Sequence, residues 1–333
     1  MAYEAGLIGE HSSIVEVRRL IDRVARSAAR AVLIYGETGT GKGLIARLVH
    51  QQSARAAQAF VDVNCAAIPD QLLESELFGH EKGAFTGAAM RKSGLIETAN
   101  GGSIFLDEIR DMNLVMQAKL LTVLDTQRMR RVGATAPVDV DVRFIAATNR
   151  VLLSEVKAGR FREDLYYRLQ VVAINSPPLR ERGDDIFVLT DNFLRRLSSR
   201  YGRVVRGLSP EVRDIFRRYR WPGNVRELEN LLERIFILED ETIILARHLP
   251  DRILRDVREM EGPSRSGEPR DGAPGVIAVP DEPLDYHEAT AAFQAQVIRQ
   301  ALVATQGNLT ETAARLGLTR HALRHQMLKL GMA

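Results

Sequence analysis

The segment Gly36-Glu37-Thr38-Gly39-Thr40-Gly41-Lys42 follows the apolar run Ala31–Tyr35 without a break, and a helical spacing of apolar residues, Leu44, Ile45, Leu48 and Val49, begins directly after it. A glycine-rich turn ending in lysine between a strand and a helix is the context of a phosphate-binding P-loop. Its glycines let backbone amides converge on phosphate oxygens. The helix N-terminus adds positive potential, and Lys42 reaches the outer phosphates. The next position, where a hydroxyl residue usually binds magnesium, is Gly43, so that ligand is missing.

The chain around this segment alternates. Phe60–Asn64, Ser103–Leu106 and Val142–Ala147 are further apolar runs of strand length with helical stretches between them. Such alternation predicts an α/β fold, a parallel sheet covered by helices on both faces. After Pro177-Pro178 the strand-like runs stop. Ile186 to Leu238 reads as helical, with a turn at Trp221-Pro222-Gly223-Asn224, which predicts a helical subdomain. From Glu261 to Leu284, nine of 24 residues are Gly or Pro, too many for a packed core, so a flexible linker is expected there. The expected division is an α/β core at 1–178, a helical lid at 179–258, a linker at 259–284 and a small all-α domain at 285–333. No apolar run approaches the roughly 18 residues of a membrane helix. The start lacks a signal-peptide core. One cysteine, Cys65, excludes an internal disulfide framework and any multi-cysteine metal site, so a reducing, cytoplasmic address is expected.

A P-loop ATPase also needs carboxylates. Gly101-Gly102-Ser103-Ile104-Phe105-Leu106-Asp107-Glu108 ends an apolar strand in two of them. Asp107 is expected to hold magnesium, largely through water, and Glu108 to polarise the attacking water as general base. A strand ending in two solvated acids is also common by chance; the pairing with the P-loop favours the chemistry. Asn64 closes a strand and could hydrogen-bond Glu108, holding it off the water. Thr148-Asn149 closes another, and the amide of Asn149 could sense the γ-phosphate. Taken alone, either reads more readily as a turn residue. Arg162 and Arg168 offer guanidinium groups for transition-state charge. Six residues of helix separate them by about 600° of rotation, so one could reach across an interface while the other braces it. Pairing with Glu163 or Asp164 within the helix is the competing reading.

The motifs GETGTGK, NCAAI, ESELFGHEKGAFTGA, GGSIFLDE, FREDLYYRL and WPGNVRELEN occur in this order. From about Leu7 to Pro250 the chain resembles the AAA+ domain of bacterial enhancer-binding proteins, the activators of sigma-54 RNA polymerase. The most specific element is Gly83-Ala84-Phe85-Thr86-Gly87-Ala88. Its glycines allow a tight mobile loop with an exposed aromatic at the tip, the kind of surface that meets a partner; a Phe85 tucked into the core is the alternative. The resemblance implies that this loop touches the sigma factor, with Phe85 and Thr86 as contact residues. It implies that Arg226 approaches bound ATP from the lid, that Ile8 and Gly9 flank the adenine, and that Asn64 couples nucleotide to the loop. It further implies that Arg162 and Arg168 act in trans in a homo-oligomeric ring, a hexamer. Two departures stand out: Gly43, where the family often has Glu, and Asp125-Thr126, where a Glu-containing pair is commoner.

From Asp285 the pattern becomes helical again. Phe293, Val297, Ile298, Ala301 and Leu302 form an apolar stripe, readable as a dimer face or as a self-contained core. Then Thr310 can cap a short helix, Gly317 breaks it, and Thr319 can cap the next: a helix-turn-helix pattern. The whole chain has a net charge of +3, and residues 301–333, with Arg315, Arg320, Arg324 and Lys329 against Glu311, account for an equal excess. The segment resembles the Fis-type helix-turn-helix, with Arg315, Thr319, Arg320, His321, Arg324 and Lys329 expected on DNA; a basic helical hairpin for dimerisation alone is the alternative. Together these readings predict an activator that binds upstream enhancer DNA as a dimer, assembles into a ring, and uses ATP with Mg2+ to remodel the closed sigma-54 polymerase–promoter complex. No membrane insertion is expected. Two rivals are a DNA-binding regulator without a working motor and a general AAA+ remodeller. Intact Lys42, Asp107 and Glu108 count against the first, and the Gly83–Ala88 loop and helix-turn-helix against the second. The P-loop starts about 30 residues in, leaving no room ahead of it for a sensor domain, so control by a regulatory protein partner or by abundance is expected, unless the sequence is a piece of a longer chain.

Overall fold

The computed structural model describes residues 6–149 and 152–260, and, nearer the C-terminus, 295, 297–302, 304, 305, 308–318, 323, 324 and 327. The chain divides into two units, residues 1–264 and 265–333.

Five strands form the central sheet of the first unit: β1 (Ala31–Tyr35), β2 (Phe60–Asn64), β3 (Ser103–Asp107), β4 (Arg143–Thr148) and β5 (Ala173–Asn175). All are parallel, in the order β2-β3-β4-β1-β5. Side chains alternate across the sheet. Val32 and Ile34 pack with Ile14, Ile21, Ile45 and Val49 on one face. Leu33 packs with Leu73, Leu120 and Leu165 on the other. Both faces are covered, so all six residues of β4 are buried, which is why the strands read as unbroken apolar runs rather than as alternation. The register aligns the functional ends. Asn64 lies opposite Asp107, and Tyr35, the residue before the P-loop, lies opposite Thr148. The chemistry-bearing residues therefore leave the sheet along one edge, the C-terminal edge where α/β proteins bind ligands.

The helices Asp185–Tyr201, Pro210–Arg218, Asn224–Leu238 and Asp251–Met260 form the lid around Trp221, which is 1 % exposed and donates Nε1–H to the Phe216 carbonyl at 2.9 Å. The last lid helix runs to Met260, two residues into the expected linker; the linker from 261 to 284 lies outside the described residues. Among the described residues, no helix is long and apolar enough to cross a membrane.

In the second unit, Ile298 and Leu302 pack with Leu309, Ala313, Leu316, Leu323 and Met327. Of the stripe, Ile298 and Leu302 thus belong to this unit's own core; Phe293 lies outside the described residues. The helix Leu309–Arg315 is capped by Asn308, whose Oδ1 accepts from the backbone N–H of Thr310 (3.1 Å) and Glu311 (3.4 Å). Asn308, not Thr310, is therefore the cap: the helix begins at Leu309, which puts Thr310 inside its first turn, and the Asn directly before it reaches the first free amides. Gly317, at φ +65°, follows that helix as expected.

Candidate active site

The P-loop wraps the N-terminus of the helix Lys42–Gln51. Gly39 sits at φ +81°, and a Cβ there would lie 2.2 Å from the Gly223 carbonyl oxygen, so only glycine fits where the loop meets the lid. Lys42 is 7 % exposed. Its Nζ donates to the carbonyl oxygens of Gly36 (3.0 Å) and Glu37 (3.4 Å) and lies 3.7 Å from Glu108 Oε1. Thr38 to Leu44, with Asp107, Glu108 and Arg226, line a cleft of about 300 Å³ whose apolar walls include Ile8, Leu189, Phe193 and Val225.

Asp107 ends β3, and its Oδ1 accepts the Glu108 N–H at 3.1 Å. Glu108 has left-handed backbone angles, φ 51° and ψ 50°, rare for a residue with a Cβ. Strain of this kind clusters at functional sites. The Glu108 Oε2 accepts from the Asn149 backbone N–H at 3.3 Å. The Asn149 side chain donates to Thr38 Oγ1 at 3.4 Å and keeps a buried Oδ1 with no hydrogen-bond partner among the described residues.

Three expected placements need correction. Among the described residues no hydrogen bond joins Asn64 to Glu108; the Asn64 Oδ1 accepts the Ala66 N–H at 3.0 Å and caps the turn Cys65–Ala67. Of Ile8 and Gly9, only Ile8 lines the cleft. Gly9 is buried behind the lid, where a Cβ would lie 2.3 Å from Asp185 Oδ2. Within the loop, Ala88 is 5 % exposed. It closes the base of the loop by accepting from Gly83 N–H (2.8 Å) and donating to the Phe85 carbonyl (3.0 Å), so it offers no surface to a partner.

The tip of the loop is open, while Ala84 is half-buried beside Gly133. Gly83 and Gly87 have φ +81° and +106° with free space around them, and Thr86 is exposed. Phe85 is 42 % exposed, its ring edge-on to that of His80 at 5.0 Å. The alternative of a buried Phe85 does not hold. At the other candidate positions, Arg162 is exposed and held bidentately by Asp164 at 3.1 and 2.7 Å, the intrahelical pairing that competed with a trans role. Arg168 pairs with Asp125 at 2.8 Å. Both arginines lie on the outside of the single chain. Arg315 and Arg324 of the second unit are exposed, while Thr319, Arg320, His321 and Lys329 lie outside the described residues.

The sequence reading missed the joints between lid and P-loop. Glu37 is clamped bidentately by Arg180 (2.8 and 2.6 Å), and Asn224, fully buried, donates to Glu37 Oε2 (3.2 Å) and to the Thr38 carbonyl (3.0 Å). Arg182, 1 % exposed, donates to the Ile8 carbonyl at 2.6 Å and pairs with Asp185, which in turn accepts from the backbone of Glu10 and His11. Both joints tie segments more than 140 residues apart, and local spacing carries no signal for that.

The Arg180 guanidinium holds the Glu37 carboxyl below its ordinary value of 4.5, with Asn224 adding to the effect. A depressed carboxylate stabilises the fold above its unfolded value and stops doing so as pH falls through the lower folded one. The melting temperature is accordingly expected to fall below about pH 4.5, with part of that drop carried by Glu37. Arg180→Ala is expected to lower stability at pH 7 and to flatten that acid limb; an acid limb as steep as the parent's in a thermal melt series from pH 3 to 7 would contradict it.

Comparison with known proteins fits this geometry. Residues 7–175 match the sigma-54 interaction domain, 180–265 the AAA+ ATPase lid domain, and 290–330 the Fis family of bacterial regulatory proteins. The transcriptional regulatory protein ZraR of Salmonella typhimurium is 46 % identical over 322 residues, 97 % of this chain and 68 % of its own length. The response regulator protein PilR of Pseudomonas aeruginosa is 45 % identical over 327 residues, 98 % of this chain and 70 % of its own. The crystal structure of NtrX from Brucella abortus in complex with ATP aligns with a TM-score of 0.70 at 34 % identity, covering 99 % of this chain and 70 % of that one. A sheet of this order with a P-loop at its edge, a helical lid, the Gly83–Ala88 loop and the agreement across nearly the whole length lead to one conclusion: the chain belongs to the family of sigma-54-dependent transcriptional activators, with an AAA+ P-loop core and a Fis-type DNA-binding domain.

Proposed function

We propose that the chain hydrolyses ATP in a ring of its own copies and uses that work to convert the closed sigma-54 polymerase–promoter complex into the open one, from enhancer DNA held by its second unit, in the cytoplasm. The observation that carries this reading is the convergence of Lys42, Asp107 and Glu108 on one cleft, in the same unit that presents Phe85 and Thr86 on an open glycine-bounded loop.

In this reading the P-loop amides from Gly36 to Gly43 and Lys42 cradle the phosphates, and Ile8 and Val225 flank the base. Arg226 of the lid reaches toward the phosphates. Asp107 supplies a hard carboxylate oxygen for magnesium; Gly43 offers no hydroxyl, and no cluster of three ligating side chains exists among the described residues, so the remaining ligands are phosphate oxygens and water. That donor set fits magnesium, which when bound offsets phosphate charge. Glu108 takes the proton of a water whose oxygen bonds to the γ-phosphorus. The bond from that phosphorus to the β–γ bridging oxygen breaks, and its electron pair leaves with ADP. Asn149 senses the γ-phosphate through its side-chain amide, and its free Oδ1 suits a proton of the nucleophilic water. Arg162 and Arg168 leave their acidic partners to meet the phosphates bound by a neighbouring copy. Asn64 carries the nucleotide state toward the loop, where Gly83, Ala84, Phe85, Thr86 and Gly87 engage sigma-54. Arg315, Thr319, Arg320, His321, Arg324 and Lys329 contact DNA bases and phosphates.

The test uses purified protein, sigma-54 polymerase and a promoter carrying its upstream site. Open complexes, read by permanganate footprinting, are expected with ATP and not with ADP, alongside rings in mass photometry. A species that stays monomeric while hydrolysing ATP at full rate would overturn the proposal.

A further inference from the structure

We infer that Arg110 is a positioning residue for the general base, anchoring one oxygen of Glu108 so that the other is free to act. The inference rests on the reading of Glu108 given above. Arg110 lies in the turn Ile109–Asp111, two residues after Glu108. Its Nε is buried and has no hydrogen-bond partner among the described residues. It lies 3.6 Å from Glu108 Oε2 and 3.5 Å from Asp111 Oδ1. A buried guanidinium N–H without an acceptor is costly. A shift of a few tenths of an ångström toward Glu108 would satisfy it with a charge-assisted bond.

The contacts of Glu108 divide between its two oxygens. Oε1 faces Lys42 Nζ at 3.7 Å. Oε2 faces Arg110 and accepts from the Asn149 backbone N–H. The side of Lys42 is temporary, because a triphosphate competes for the same ammonium. Once Lys42 turns to phosphate, Oε1 is released, and only the Oε2 contacts still fix the carboxylate. Arg110 and the Asn149 N–H therefore keep the group from swinging, and Oε1 becomes the proton acceptor. Among the described residues no hydrogen bond joins Asn64 to Glu108, so the contacts on Oε2 are those of Arg110 and the Asn149 N–H. Arg110 acts through Glu108 and touches no nucleotide in this account.

The experiment is steady-state ATP hydrolysis by the full chain, with nucleotide binding followed separately by a fluorescent ATP analogue. Arg110→Ala is expected to lower kcat about tenfold, with KM and analogue affinity within about twofold of the parent, since the loss falls on the chemical step and not on binding. Arg110→Lys, which keeps a cation, is expected to recover more than half of the lost rate. In single-turnover measurements, adding Arg110→Ala to Glu108→Gln is expected to cause no further loss, because the carboxylate on which Arg110 acts is gone. Unchanged kcat in Arg110→Ala, a parallel rise in KM, no recovery with lysine, or a further loss in the double variant would each overturn the assignment. Normal turnover by Glu108→Gln would instead sink the reading of Glu108 as base, whatever Arg110→Ala does.

Discussion

Glu108→Gln is expected to bind ATP as the parent does and to hydrolyse it about a thousandfold more slowly, within the range that a positioned general base contributes. The substitution keeps the shape of the side chain and its capacity to accept from the Asn149 N–H. It removes the negative charge that faces Lys42 and Arg110 and the basicity that a proton transfer needs. Binding rests on the P-loop amides and Lys42, which the substitution leaves in place, so a trapped ATP-bound state should accumulate. Phosphate release and analogue binding measured on the same preparation separate the two effects. Turnover within tenfold of the parent would mean that another group takes the proton. Asp107, which lines the same cleft, is then the candidate.

The sheet was legible because its strands are buried on both faces. Runs such as Ala31–Tyr35 leave no other assignment once a P-loop follows. Asp107 and Glu108 were legible for the same reason: a run that ends in two acids next to a P-loop points them at the phosphates. The contacts that set the behaviour of these residues were not legible. Nothing in local sequence indicates that Asn64 spends its carbonyl oxygen on Ala66, that Arg110 turns back toward Glu108, or that Asn224 reaches Glu37. These depend on side-chain direction and on registers between segments far apart in the chain. Asn224 shows the limit well. It was read as one residue of a turn, which its φ of +51° bears out, yet its amide joins the lid to the P-loop. The stripe at Ile298–Leu302 shows the converse: an amphipathic pattern states that a face is covered, and only the packed partners state by what.

Thr86→Ala is expected to hydrolyse ATP within about twofold of the parent rate and to form open complexes about 10–100-fold less efficiently, the loss attached to one hydrogen bond at the centre of an interface. The hydroxyl of Thr86 is exposed, and among the described residues it makes no hydrogen bond within the chain, so its removal costs the fold nothing. The loop is not loose at its root, however. Glu81 donates its N–H to the Val132 carbonyl at 3.0 Å, and its carboxylate receives Arg131 at 3.0 Å, while Arg131 also grips Glu97 through two nitrogens at 3.1 and 2.7 Å. The tip is therefore an open contact surface carried on a charged, partly buried base. Thr86 is not among the residues lining the cleft with Lys42, Asp107 and Glu108, so its truncation leaves the chemistry in place. The two activities should separate in this variant for that reason. ATPase rate and permanganate-reactive promoter, measured together, decide it. An equal fall in both would tie Thr86 to the catalytic cycle, and normal activation would remove the loop from the sigma-54 contact altogether.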